Sequence, residues 1–382
     1  IRMGIDSVMY YGRDMNAVIR EFSMYERSGL SVTSLTGRLF ADSTVIRIPS
    51  LKLLTPHSEM NFTAQTYWEL INIPTTGRLT ARFNARIGKQ DVLLFAGGLP
   101  ETFKEAYPFR PLVIHAGTEG NLKQMQISRF TAELPGAFSL NGGGEFWNLT
   151  DSVKRNGNMD FEMHTQNLNF LTGLADIAPD GSIIVPDSMH LAARVGMEGT
   201  QCTAALKLLE KEGVLNLDAA YNLATEAYHA DLAINNLQVH HFLPKDSIYT
   251  LTAKMSAKGQ GVDVASRKTV AALNASLEKL QYGHWDISGV EAHAGLKSSV
   301  ATVRLASDNV LLKMQGNADM RLDRSYLDGA LDLNVEEVNL HKLGLVPRPL
   351  KHPFAFTMGA EARHDSLKLR LDAGDLNLRF RA

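Results

Sequence analysis

The sequence predicts an all-β protein: a long curled, repetitive sheet forming a groove, with a few short helices. Three observations carry that prediction. Apolar and polar residues alternate with a period of two almost throughout, which places successive side chains on opposite faces of extended strands. Gly, Asn and Asp punctuate the alternating runs. No Pro- or Ser-rich linker breaks the pattern, so the 382 residues read as a single elongated unit, 1–382.

Taken in order, Asp14 is placed to cap a helix bearing Met15, Val18, Ile19 and Phe22 at helical spacing. "VIRIPSLKL" (Val45 to Leu53) and "LTARFNARI" (Leu79 to Ile87) then read as strands, and "ETFKEAY" (Glu101 to Tyr107) as one or two helical turns. "MDFEMHTQ", "VLNLDAAYN" and "GALDLNVEEV" continue the alternation, for roughly 20 to 25 strands at about 12 to 15 residues per strand and turn. "NGGGEF" (Asn141 to Phe146) and "KGQGVD" (Lys258 to Asp263) have the composition of tight hairpin turns. A weak repeat recurs at "DVLLFAGGLP" (Asp91 to Pro100), "NLNFLTGLA" (Asn167 to Ala175), "NLQVHHFLP" (Asn236 to Pro244) and "NLHKLGLVP" (Asn339 to Pro347). These segments suit one-turn helices at a sheet edge and suggest repeat units ending near 100, 175, 244 and 347.

Open twisted sheets rarely exceed about ten strands without curling or splitting into layers. A chain with about twice that number and no linker is read as one curled sheet, on the order of 100 Å long at about 4.8 Å per strand. Its apolar side is expected to be continuous. Leu51, Leu53, Leu79 and Phe83 line it near the start, and Leu367, Leu369, Leu371, Leu376, Leu378 and Phe380 near the end, with Lys52, Arg82, Lys368 and Arg370 turned to solvent.

Charge and motifs narrow the chemistry. The 39 basic and 41 acidic residues give a net charge of −2 with no dense Lys/Arg run, so nucleic acid is not an expected partner. The single cysteine, Cys202, excludes internal disulfides and thiolate zinc clusters. His240 and His241 are adjacent and cannot chelate one metal together from a strand, so no metal is expected. Motifs for zinc proteases, serine hydrolases, nucleotide loops and calcium loops are all missing, and no cofactor or catalytic residue is predicted. Ile1 is neither an initiator methionine nor the start of a signal, which suggests a piece of something longer.

The stretch Glu26 to Ser58 carries a more specific pattern. Glu26, Ser28, Gly29 and Leu30 form an E-x-S-G-L opening. Leu35 and Gly37 follow as L-x-G, then Leu51, Leu53, Thr55, Pro56 and Ser58 as L-x-L-x-T-P-x-S. This order resembles the translocation and assembly module B family of the AsmA-like superfamily, as found in Bacteroidota. The resemblance implies a β-groove protein of the periplasm, anchored in the inner membrane and working with an outer-membrane barrel in envelope assembly. It further implies phospholipid or another acyl-chain ligand in the groove. The anchor and the barrel-binding domain would lie outside this chain. A structural or adhesin-like protein of several β-sandwiches, and a β-rich carbohydrate-active enzyme with paired carboxylates, are the competing readings.

Overall fold

The computed structural model describes residues 2–12, 14–26, 29, 31–95, 98–174, 182–323, 326–364, 366–374 and 376–381. Strand accounts for 63% and helix for 8%, and the strands form one open antiparallel sheet of 24 strands that does not close into a barrel. The all-β expectation and the strand number are thereby met. Two compact units divide the chain: residues 1–202 with 208–211, and residues 203–207 with 212–382. The division falls within one strand, β12 (Gln201–Glu210).

The first unit is a meander. Its strands are β1 (Arg2–Tyr11), β2 (Asp14–Tyr25), β3 (Ser31–Ala41), β4 (Val45–Leu54), β5 (Glu59–Tyr67), β6 (Leu79–Ile87), β7 (Leu112–Gly120), β8 (Gln124–Leu134), β9 (Phe138–Trp147), β10 (Asn156–Thr165) and β11 (His190–Glu198). Each pairs with the next in antiparallel register.

The helix expected over Met15 to Phe22 is instead the middle of β2. Met15, Ala17 and Ile19 alternate normally, and a register shift between Ile19 and Phe22 then inserts an extra residue. A bulge of this kind turns a spacing of two into three and imitates the helical interval. The short helix over Glu101 to Tyr107 does form, as α3 (Glu101–Ala106), following α1 (Trp68–Asn72) and α2 (Lys89–Phe95). Of the four repeat segments, the first runs through α2. The second contains a 3-10 turn at Asn169–Leu174, and the third one at Val239–His241. The fourth is a hydrogen-bonded turn without helix, closed by Leu343 N–H to Asn339 O at 3.0 Å. Ala96, Gly97 and Ala175 lie outside the described residues.

Helices α2 and α3 and the 3-10 turn at Asn169–Leu174 cap one end of the first unit's apolar face. Phe103 and Tyr107 meet Phe170 in tilted and edge-on contacts at centroid distances of 5.5–5.7 Å, and the cluster buries Leu134, Ala137 and Leu168 against Leu112, Phe138 and Met163 of the strands. Burial raises the Tyr107 phenol above its usual pKa. Helix α2 is tied down by a buried carboxylate: Asp91 accepts hydrogen bonds from the hydroxyls of both Thr55 and Ser58. The same Ser58 Oγ accepts from Gly88 N at 3.0 Å. Lys89 reaches the Tyr107 carbonyl at 2.7 Å and lies over the Phe109 ring.

The second unit repeats the meander through β13 (Gly213–Asn222), β14 (Ala227–Gln238), β15 (Ile248–Gln260), β16 (Val270–Tyr282), the short β17 (Trp285–Ile287), β18 (Val290–Lys297), β19 (Val300–Asp308), β20 (Leu312–Arg321), β21 (Asp328–Val338), β22 (Phe354–Arg363), β23 (Ser366–Ala373) and β24 (Leu376–Arg381). Strands again pair in sequence, except that β16 pairs both β17 and β18.

The glycine-rich "NGGGEF" is not a turn. Asn141 to Phe146 sits inside β9, where a Cβ on Gly142 would lie 2.9 Å from Phe161 Cδ1, and one on Gly144 would lie 2.2 Å from the Asn158 carbonyl. The glycines are there so that neighbouring strands and an aromatic ring can lie over the backbone. "KGQGVD" is split: Lys258 to Gln260 end β15, and Gly261, with φ of +76°, begins the loop.

Two stability predictions follow from these contacts. Gly144→Val should cost about 1–3 kcal/mol or more, because the backbone of β10 must move to admit the side chain; an unchanged chemical-denaturation midpoint would contradict the register. Asp91→Ala leaves two hydroxyls without their acceptor and should cost about 1–3 kcal/mol. A variant with Thr55→Val and Ser58→Ala added should recover part of that loss.

Candidate functional site

Because directly opposed residues in an antiparallel pair share a face, the register can be followed from strand to strand as a row. In the first unit one row runs Ile19, Gly37, Leu51, Phe62 and Phe83, and continues through Ala116, Phe130, Gly142, Phe161 and Ala193. The adjacent row on the same face holds Leu35, Leu53, Met60, Ala85 and Ile114. A third passes through Ile46, Thr66, Leu79, Gly120, Met125 and Phe146. All four predicted lining residues of this unit, Leu51, Leu53, Leu79 and Phe83, therefore lie on one face, and all four are half-buried. A bulge at Pro49–Ser50 keeps the phase, since Ile48 pairs Ala64 and Leu51 pairs Phe62 across the shift.

Small residues interrupt the first row: Gly37 stands between Ile19 and Leu51, and Gly142 between Phe130 and Phe161. A Cβ on Gly37 would lie 2.8 Å from Leu51 Cδ1, so the glycine is the space that the leucine occupies. The pattern over Glu26 to Ser58 thus has a physical content here. Gly37 admits Leu51, and Thr55 and Ser58 hold α2 through Asp91. Ser28 and Leu30 lie outside the described residues.

In the second unit the equivalent row is Leu217, Leu232, Met255, Ala275 and Ala292, continuing through Leu305, Gly316, Leu333, Met358 and Leu371. Beside it, Val303, Ala318, Leu331, Ala360 and Leu369 form another. This face is open to solvent in places: Met255 is 39% exposed, Val303 43%, Leu367 37% and Leu369 38%. The backbone of β24 places Leu376, Leu378 and Phe380 opposite Ala373, Leu371 and Leu369, while their side chains lie outside what is described.

The opposite face is polar in both units. Lys52 pairs with Glu59 at 2.7 Å, and its hydrogen bond, with a second from Asn61, holds the Glu59 carboxyl below its usual range. Arg194 pairs with Asp160 at 2.6 Å, a hydrogen bond that raises the guanidinium pKa further. Arg82, Lys368 and Arg370 are exposed on this side, as expected. Two shallow depressions also belong to it. One, of about 500 Å³, is lined by Arg47, Gln65, Arg78 and Arg82; the other, of about 450 Å³, by Asp218, Asp231, Lys254, Asn274 and His293. Leu51, Leu53, Leu79 and Phe83 line neither.

One constellation on the polar face is not anticipated by the sequence. Glu162 and His164 are two residues apart on β10, and His190 stands directly opposite His164 on β11. Their ligand atoms all lie within 4.8 Å of one another. The Glu-x-His spacing is visible in "MDFEMHTQ", but only the strand register brings in His190. His240 and His241, the adjacent pair in the sequence, occupy the 3-10 turn after β14.

Comparison of the chain with protein-family models, with curated proteins and with solved structures returns no match.

Proposed function

We propose that the protein is a non-enzymatic lipid conduit whose apolar sheet face holds the acyl chains of phospholipid and passes them between two membranes. The observation that supports this reading is the alignment of large apolar side chains into cross-strand rows that remain half-exposed, as in Leu217, Leu232 and Met255. Each exposed apolar Å² costs about 25 cal/mol, and soluble monomers rarely leave more than a few hundred Å² contiguous. A face apolar along whole strands calls for an apolar occupant. An acyl chain fits, because it needs no directional bonds and adapts to a corrugated surface of Leu, Phe, Ala and Gly. Such transfer requires no catalytic group and no cofactor.

The setting follows from the resemblance of Glu26 to Ser58. In this reading the chain works in the periplasm, anchored in the inner membrane and engaging an outer-membrane barrel in envelope assembly through regions beyond these 382 residues. A spacer made of sandwiches, adhesin-like in use, would instead bury its leucines against a second layer of its own.

Native mass spectrometry after mild purification tests the choice. Bound phospholipid is expected, and its absence from wild-type protein would favour the spacer. Leu217→Asp sharpens the test. On an open face the carboxylate stays hydrated and should cost on the order of 1 kcal/mol, while co-purifying lipid falls several-fold. In a closed sandwich the same group is buried without a partner and costs several kcal/mol. Spin labels provide a third check: a label at Leu53 should become less accessible to water when lipid is added, and one at Lys52 should not change. Equal responses at both sites would contradict the assignment of faces.

A further inference from the structure

On the polar face at the end of β10, three metal-ligating side chains converge. His190 Nε2 lies 2.9 Å from Glu162 Oε1, and His164 Nε2 lies 3.7 Å from the same oxygen. The two imidazoles stack, with centroids 4.4 Å apart and planes inclined by 25°. We propose that Glu162, His164 and His190 form a binding site for a divalent first-row transition metal of the zinc class. The proposal is independent of the lipid reading, which concerns the opposite face.

Geometry and chemistry both favour it. Residues two apart on a strand and directly opposed across a pair form the tightest triangle a sheet face offers, with neighbouring Cβ atoms about 4.5–7 Å apart. Small rotamer changes therefore suffice to set three donors about 2.0–2.2 Å from one ion. Two imidazoles and one carboxylate are the borderline donor set that zinc accepts, and the set leaves a coordination position for water or an incoming ligand. The neighbouring carboxylate on this face, Asp160, is already engaged by Arg194, which leaves Glu162 as the acid turned to the imidazoles.

The backbone beneath the cluster is held. Thr165 N donates to Met189 O at 2.9 Å, and Met189 N donates to Thr165 Oγ1 at 2.9 Å, with both residues buried. These bonds pin the register that opposes His164 to His190. They also mark the place where β10 ends and β11 begins. An ion held at this place would cross-link the two strands, and would stabilise the folded chain by binding it in preference to the unfolded one.

The test uses the full chain, stripped with a chelator and then titrated with zinc chloride. Calorimetry should show one tight zinc per chain, and the thermal midpoint should rise with zinc. His164→Gln and His190→Gln should each weaken binding about tenfold or more and abolish the rise in midpoint. Because the chain has 12 histidines, His293→Gln on the polar face of the second unit is the control and should bind as wild type does. All three substitutions are at side chains that touch no core cluster, and circular dichroism of the apo variants should match wild type. Cobalt(II) supplies a second readout: its visible absorption bands should appear with wild type and be lost in the double variant His164→Gln/His190→Gln. Equal zinc affinity in wild type and that double variant, or no saturable binding by wild type, would overturn the proposal.

Discussion

Cross-strand register is the constraint on which everything else in this protein depends. A strand's side chains alternate, so a slip of one residue would send its whole apolar set to the polar side. In each unit the slip is avoided for strand after strand, and residues as far apart in sequence as Ile19 and Phe161 fall into one row. Where a strand carries an extra residue, as at Pro49–Ser50, a bulge absorbs it and Leu51 returns to the face of Ile48. Hairpin turns do the remaining positioning. Asp42 accepts from the backbone of Thr44 and Val45 and from the Thr44 hydroxyl, which keeps its carboxyl acidic and closes the turn between β3 and β4.

A sheet assembled this way has unequal faces, and the energetics differ between them. The polar face is satisfied by water and by exposed ion pairs, each contributing little, on the order of 0–1 kcal/mol. Among the described residues, the largest cluster of buried apolar side chains lies where helix covers the apolar face. In the first unit Phe103, Tyr107 and Phe170 bury one end of it, and Asp91 anchors the helix that precedes them. Away from that cap the named leucines stay half-buried, and in the second unit Leu367 and Leu369 are exposed. Packing of the usual two-layer kind therefore explains only part of each unit, and the uncovered part is what the proposed acyl-chain ligand would complete.

Much of this could be read from the sequence because period two is a local signal. β6 runs over the predicted Leu79 to Ile87, and β4 extends the predicted run by one residue. What escaped was set by neighbours distant in sequence. The bulge in β2 sets Ile19 and Phe22 three apart, which completes an apparent helical spacing with Met15 and Val18, and only the partner strand reveals them as extended. "NGGGEF" has turn composition, yet its glycines answer to Phe161 and to the backbone of β10. His190 joins Glu162 and His164 through register alone, so a search for ligands by spacing in one segment could not assemble the cluster.

The same division of faces separates the two proposed activities. Acyl chains ask for apolar area and tolerate wide variation in which apolar residue supplies it, so no single leucine is indispensable to that role. A metal asks for three donors at one point and tolerates no such substitution. The strand β10 serves both demands at once: Phe161 and Met163 continue the apolar rows, while Glu162 and His164, alternating with them, meet on the other side. A cross-link there would hold β10 and β11 in the register on which the position of Phe161 and Met163 depends. The polar side of this strand pair would thus secure the geometry of the apolar side without touching what that side binds.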